Sequence, residues 1–330
     1  MSYELLLAGI LVVALVAYSV TAGADFGGGV WDLLAFGPRA RAQREMIARA
    51  VAPIWEANHV WLIFVIVVLF VCFTPVYAVI GTALHIPLTL MLFGIVLRGA
   101  AFAFRSYHYG PKQFYWDAVF AISSLVTPVA LGMCVGAVAS GAIDADVDGT
   151  VRSDFFSSWL APFPVSVGAF TLIEFSFLAA CYLTLEAEHE ALREDFRLRA
   201  IGSGILTAVL GWLAFALAYQ GAPLIFAGIA GNVMLIAGIS VVALSAVGAL
   251  FARKYRLAQI LAISQVSLVV LGWANAQFPY LVVPDLTVHN AHASDAVMEG
   301  ALAVLAIGSV VLVPSFVYLY AVFKGWRQQG

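Results

Sequence analysis

The sequence predicts an all-α integral membrane protein with nine transmembrane helices, and three observations carry that prediction. Of its 330 residues, 63% are hydrophobic and only 11% charged, with a mean hydropathy of +0.99; a soluble domain carries about 25% charged residues. Apolar runs of about 20 residues, the length a helix needs to cross a bilayer, recur along almost the whole chain in place of the alternating ten-residue segments of a β-barrel. Basic residues collect in every second connection, as they do when successive spans alternate in direction.

The runs place spans at roughly 3–22, 55–74, 76–104, 114–140, 159–185, 200–219, 222–251, 257–278 and 296–323. The first lacks a basic n-region and an A-x-A site, so it reads as a retained helix and not as a signal peptide. Arg39, Arg41, Arg44 and Arg49 follow span 1, and Arg105 and Lys112 follow span 3. Arg193, Arg197 and Arg199 follow span 5, Arg253, Lys254 and Arg256 follow span 7, and Lys324 and Arg327 follow span 9. Fourteen of the sixteen basic residues thus share one side, all but Arg98 and Arg152. Loops on the other side carry Asp144, Asp146, Asp148, Asp154, Asp285 and Asp295. The positive-inside rule then expects the N-terminus outside and the C-terminus in the cytoplasm.

The longest pieces outside the spans, 141–158, 186–199 and 279–295, are too short to bury a core of their own. Residues 1–330 therefore read as a single polytopic domain, with residues 1–140 and 159–278 expected as two four-helix bundles and 296–323 as a peripheral helix. Glu186 to Arg199 reads as the wetted end of span 5 and a short surface helix. Cys72, Cys134 and Cys181 lie singly in apolar runs, without metal or disulfide spacing, and read as small core residues.

Ionisable groups inside such spans are costly and are functional candidates by default. Span 1 ends near Asp25, in Gly23-Ala24-Asp25-Phe26-Gly27-Gly28-Gly29; span 2 opens with Trp55-Glu56-Ala57-Asn58-His59-Val60-Trp61. The three-residue spacing expects Glu56 and His59 on one helix face. Arg98 lies about 10 Å short of Arg105 along span 3, and Asp117 falls in the first turn of span 4. Asp25, Glu56, His59, Arg98 and Asp117 are thereby expected at one cytoplasmic corner of the first bundle. Singly, each admits a structural reading, as a helix-end carboxylate favoured by the macrodipole or as a snorkelling arginine. As a set they favour a buried ionic cluster, which either braces the bundle or carries protons.

The glycine run has no preceding strand and no following Lys-Ser/Thr, so it is no phosphate loop; it is expected to let the chain leave the membrane and helices approach closely. Of the histidines within spans, His59 and His85, neither has a second axial candidate, and the case for haem ligation by this chain is weak. Glu174, in the middle of span 5, reads either as a protonated, hydrogen-bonded residue or as a second functional site. Trp55, Trp61, Trp116, Trp159, Tyr109, Tyr115, Tyr280 and Tyr320 lie mostly near span ends, as an interfacial belt does.

The residues also carry a family resemblance. Gly23-Ala24-Asp25-Phe26-Gly27, Arg44-Glu45-Met46-Ile47, Pro53-Ile54-Trp55-Glu56-Ala57-Asn58-His59-Val60-Trp61-Leu62, Leu97-Arg98-Gly99-Ala100-Ala101-Phe102, Trp116-Asp117 and Phe278-Pro279-Tyr280 with Leu286-Thr287 and Asn290-Ala291 resemble subunit II of cytochrome bd quinol oxidases, in order and spacing. The resemblance implies a haem-bearing partner, subunit I, that holds haem b, haem d and the quinol site, with a possible small accessory subunit besides. It implies a complex of the bacterial or archaeal cytoplasmic membrane that oxidises quinol, reduces dioxygen to water and draws protons from the cytoplasm. Positions matching Asp25 and Glu56 resemble a proton-entry route, with those matching Arg98 and Asp117 close by; Trp61 resembles the start of an oxygen passage. No haem or metal ligand in this chain is implied. The family's usual Trp-Asp-Gly-Asn-Glu/Gln is departed from at Glu56, Ala57 and His59, and His85 stands where an aromatic is usual, which marks a divergent branch. The alternative from another class is a secondary transporter or channel whose charged cluster is its own substrate site.

Overall fold

The computed structural model describes residues 2–51, 55–107 and 113–322. Pro53, Ile54, Tyr109, Lys112, Lys324 and Arg327 lie outside the described residues. The chain is built from α1 (Tyr3–Leu33), α2 (Ala40–Val51), α3 (Trp55–Asn58), α4 (Val60–Cys72), α5 (Thr74–Ala83), α6 (His85–Tyr107), α7 (Gln113–Ser140), α8 (Pro162–Glu186), α9 (Glu190–Gly221), α10 (Pro223–Ala230), α11 (Val233–Phe251) and α12 (Tyr255–Gln277), then strands β1 (Tyr280–Val282) and β2 (Leu286–Thr287), and α13 (Asp295–Tyr320). Nine helical segments among the described residues are long and apolar enough to cross a membrane. This is the all-α, nine-span architecture that composition and run length predict.

Four boundaries depart from the predicted ones, each for a local reason. α1 does not stop at residue 22 but continues to Leu33, carrying Asp25 and the glycine run inside the helix. The glycines are therefore not an exit from the membrane but a contact surface. A Cβ on Gly27 would stand 2.0 Å from the Phe175 main-chain oxygen, and one on Gly29 2.1 Å from Ser124 Oγ, so only a glycine face allows this approach of α1 to α8 and α7.

The run at 76–104 is two helices, α5 and α6, which part at Leu84. The run at 222–251 divides at Gly231-Asn232, where the Asn232 side chain accepts the Leu235 N–H at 3.1 Å and caps α11. The charged stretch Glu190–Arg199 is not a separate surface helix. It forms the first turns of α9 and is continuous with span 6. Arg193 secures the junction by donating to the Ala187 oxygen at 2.8 Å and the Thr184 oxygen at 3.2 Å, which satisfies carbonyls that the end of α8 leaves unpaired.

α8 packs against α9, α7, α1 and α12, and α1 against α8, α7, α4 and α12. These two helices thus stand between the N-terminal and C-terminal halves. α13 touches α4 and α1, and Trp61 stacks on Phe316 with ring centroids 5.4 Å apart. The side of the molecule opposite the arginine-rich connections is closed by the β1–β2 hairpin and the 141–158 loop. Val283 donates to the Val138 oxygen at 3.0 Å, Ala293 to the Cys72 oxygen at 2.8 Å, and Arg152 pairs with Asp146.

Candidate functional site

Where α1, α3, α6 and α7 converge, hydrocarbon-grade helices bury a polar cluster. Arg98, on α6, is 2% exposed. Its Nη2 donates to the main-chain oxygen of Asp25 at 2.7 Å and its Nε to Ser124 Oγ at 3.3 Å. Its guanidinium lies 5.0 Å from the Phe26 ring centroid and 5.1 Å from that of Phe120, an arrangement in which ring faces attract the desolvated cation. Asp25 is 5% exposed, and its carboxylate accepts the side-chain amide of Asn58, which is wholly buried. The cluster is thus a carboxylate, a carboxamide and a guanidinium from three helices, with a hydroxyl from a fourth.

The other expected members occupy different surroundings. α3 ends at Asn58, His59 is a turn residue, and α4 starts at Val60. The backbone stays helical through His59 (φ −72°, ψ −13°), whose N–H donates to the Glu56 oxygen at 3.2 Å, yet Glu56 is exposed while His59 is half-buried. The His59 ring lies among Tyr18, Phe26 and Trp55 at centroid distances of 6.0, 5.9 and 6.4 Å. Asp117 pairs with Arg105 at 2.7 Å, and the same arginine holds Asp32 at 3.1 Å. Asp117 thus belongs to a second ionic group, built on Arg105 instead of Arg98.

Sequence reasoning names Asn58 only within the Trp55–Trp61 stretch and misses Ser124 and Asp32. Asn58 and Ser124 are neutral and leave no signal in charge placement. Asp32, 4% exposed, was hidden by ending span 1 too early. Glu174 is fully enclosed and accepts Gln265 Nε2 at 3.1 Å, while His85 meets the Thr82 oxygen through Nδ1 at 2.9 Å. Among the described residues no group of three or more His, Cys, Asp or Glu is placed to hold a metal ion.

Comparison with known proteins places the fold. The family described as cytochrome bd terminal oxidase subunit II matches residues 3–323. The chain belongs to that family. Bacillus subtilis putative cytochrome bd menaquinol oxidase subunit II is 22% identical over 318 residues, covering 93% of this chain and 91% of the relative. Escherichia coli cytochrome bd-I ubiquinol oxidase subunit 2 is 29% identical over 217 residues, 64% of this chain and 54% of the relative. In three dimensions the chain is similar to a chain of the bd oxidase from Geobacillus thermodenitrificans, with a TM-score of 0.79, 20% identity, and coverage of 98% and 99% of the two chains.

As a cytochrome bd subunit II, the protein is part of a quinol oxidase complex with a subunit I partner. It is a multi-pass protein of the bacterial membrane, and the family's haems are generally carried by subunit I. A self-contained transporter is not favoured.

Proposed function

We propose that this chain, beside its haem-bearing partner, carries protons from the cytoplasm through the Asp25–Asn58–Arg98 cluster toward the oxygen-reducing centre of subunit I. The partner would hold haem b and haem d, oxidise quinol and reduce dioxygen to water, a reaction that consumes protons. The observation that carries the reading is the burial of Arg98 against the Asp25 main chain, with the Asp25 carboxylate beside it on Asn58. A carboxyl kept from bulk water beside a fixed guanidinium is a group that can exchange a proton inside a membrane, and such groups mark proton relays.

The arginine-rich connections 34–50, 186–199 and 252–256 support a cytoplasmic side for this cluster, with the N-terminus outside and the C-terminus inside. In this reading residues 1–140 form the bundle that bears the route, 159–278 the second bundle, and 296–323 a peripheral helix. Trp61, half-buried against Phe316, is the candidate for an oxygen passage. Glu56, His59 and Asp117 act on the route from its margin. Purification of the membrane complex tests the assignment: a haem-bearing partner that co-purifies and gives a haem b and haem d reduced-minus-oxidised spectrum is expected. A colourless, self-sufficient oligomer would overturn it.

A further inference from the structure

Beside Asp25, on the face of α1 turned away from Arg98, α1, α2 and α8 leave a cleft of about 130 Å³. Asp25 and Thr21 of α1, Ala50 of α2, and Ala179, Tyr182 and Glu186 of α8 are among the residues that line it. Small residues set its width: Ala24, Gly28, Ala50 and Ala179 all stand on its walls. Its volume gives room for several waters, each needing roughly 10–15 Å³ of such space. Along α8 it extends from Ala179 to Glu186, about 10 Å at 1.5 Å per residue. Glu186 is the last residue of α8 and is half-buried, whereas Asp25 is buried. The cleft therefore has a half-buried carboxylate, Glu186, at the end of α8 and a buried carboxylate, Asp25, within α1, with the Tyr182 and Thr21 hydroxyls also on its walls. Glu56 is exposed and is not among the lining residues.

We propose that Glu186 is a proton-collecting residue that feeds Asp25 through this cleft. The proposal rests on the reading of Asp25 as a proton-route member. A proton from cytoplasmic hydronium adds to the Glu186 carboxylate; it then passes along water and hydroxyl to the Asp25 carboxylate, and Glu186 is left ionised for the next. Two arginines stand near the end of α8. Arg193 of α9 donates to the Ala187 and Thr184 carbonyls, and Arg49 of α2 stands 3.9 Å from Glu188. Asp25 and Tyr182 face the mouth from the cleft itself. The two arginines hold the rim without occupying the cleft.

The test uses the assembled complex and follows quinol-driven oxygen consumption as a function of pH, together with haem content. Glu186→Gln, which keeps size and polarity but takes up no proton, is expected to slow turnover several-fold. The loss should grow as pH rises and hydronium becomes scarce, haem content should be unchanged, and Glu186→Asp should restore most of the rate. Ala179→Leu, which fills the cleft without touching a titratable group, should reproduce the slow, pH-steepened phenotype. If Asp25→Asn is slow while Glu186→Gln and Ala179→Leu run at the wild-type rate at every pH, the route stands and this entrance is wrong. If Asp25→Asn is itself at the wild-type rate, the underlying reading of Asp25 fails instead.

Discussion

Arg98 Nη2 donates to the main-chain oxygen of Asp25 at 2.7 Å, joining two residues 73 positions apart in the chain. The bond fixes the backbone that carries the Asp25 carboxylate and leaves that carboxylate to face Asn58. Removing the guanidinium would take away a charge-assisted hydrogen bond to a carbonyl inside α1, worth about 1.5–3 kcal/mol, and would empty the space between the Phe26 and Phe120 rings. Arg98→Ala is accordingly expected to lower the thermal stability of the purified complex. Arg98→Lys should fall between Arg98→Ala and the wild type, because it keeps the charge but loses the planar fork. A melting temperature of Arg98→Ala equal to that of the wild type would show that the contact does not brace the bundle.

The glycine face makes a steric prediction. Gly27→Ala places a Cβ 2.0 Å from the Phe175 oxygen, a main-chain atom that cannot move aside, whereas a Cβ at Gly9 meets nothing within 4 Å. Gly27→Ala should abolish or sharply reduce assembly, read as haem-containing complex recovered from membranes, and Gly9→Ala should leave the yield unchanged. Equal yields would mean that α1 and α8 do not approach as closely as described.

Arg105 holds a buried partner, Asp32, and a half-buried one, Asp117. Deleting one member of a buried pair costs about 3–5 kcal/mol, because the other charge stays behind. Arg105→Gln should therefore destabilise the complex strongly through Asp32, and adding Asp32→Asn should recover much of that loss. Adding Asp117→Asn should recover less. A double-mutant cycle on denaturation midpoints measures this, and equal recovery from both additions would contradict the assigned burial.

What was legible in the sequence follows the cost of charge in hydrocarbon. Arg98 and Asp25 stand out because nothing apolar explains them, and apolar runs of about 20 residues give the number and order of spans. Ser124 is not legible, and Asn58 shows only as part of the Trp55–Trp61 stretch, because neutral polar side chains occur in membrane helices without distinction. Asp32 was lost because three consecutive glycines were read as a place where the helix ends, whereas tight packing against Phe175 and Ser124 keeps it helical to Leu33. The helical spacing of Glu56 and His59 persists in the fold, but spacing cannot reveal that one side chain is exposed and the other half-buried.

In the 141–158 loop, the Asp154 carboxylate accepts the Ser157 and Phe156 N–H groups, each at 2.8 Å, and hydrogen bonding from Ser157 foremost brings its pKa down to about 2. A depressed carboxylate stabilises above the unfolded value of about 3.9 and loses its contribution as pH falls through the folded value. Amide protection at Phe156 and Ser157 is expected to be complete at neutral pH and to fade between about pH 4 and about pH 2. Asp154→Asn should keep partial protection without that step. Hydrogen exchange at the two amides reads it, and protection in the wild type that is independent of pH would contradict the assignment.

The most direct test of the proton-route account is Asp25→Asn in the assembled complex, assayed for quinol-driven oxygen consumption and for haem content in the same preparation. Asparagine keeps the size of the side chain and can still bond to Asn58, so the bundle should assemble with its full haem complement. The account predicts that oxygen consumption falls several-fold and falls further as pH rises. A wild-type rate with haem retained would contradict it.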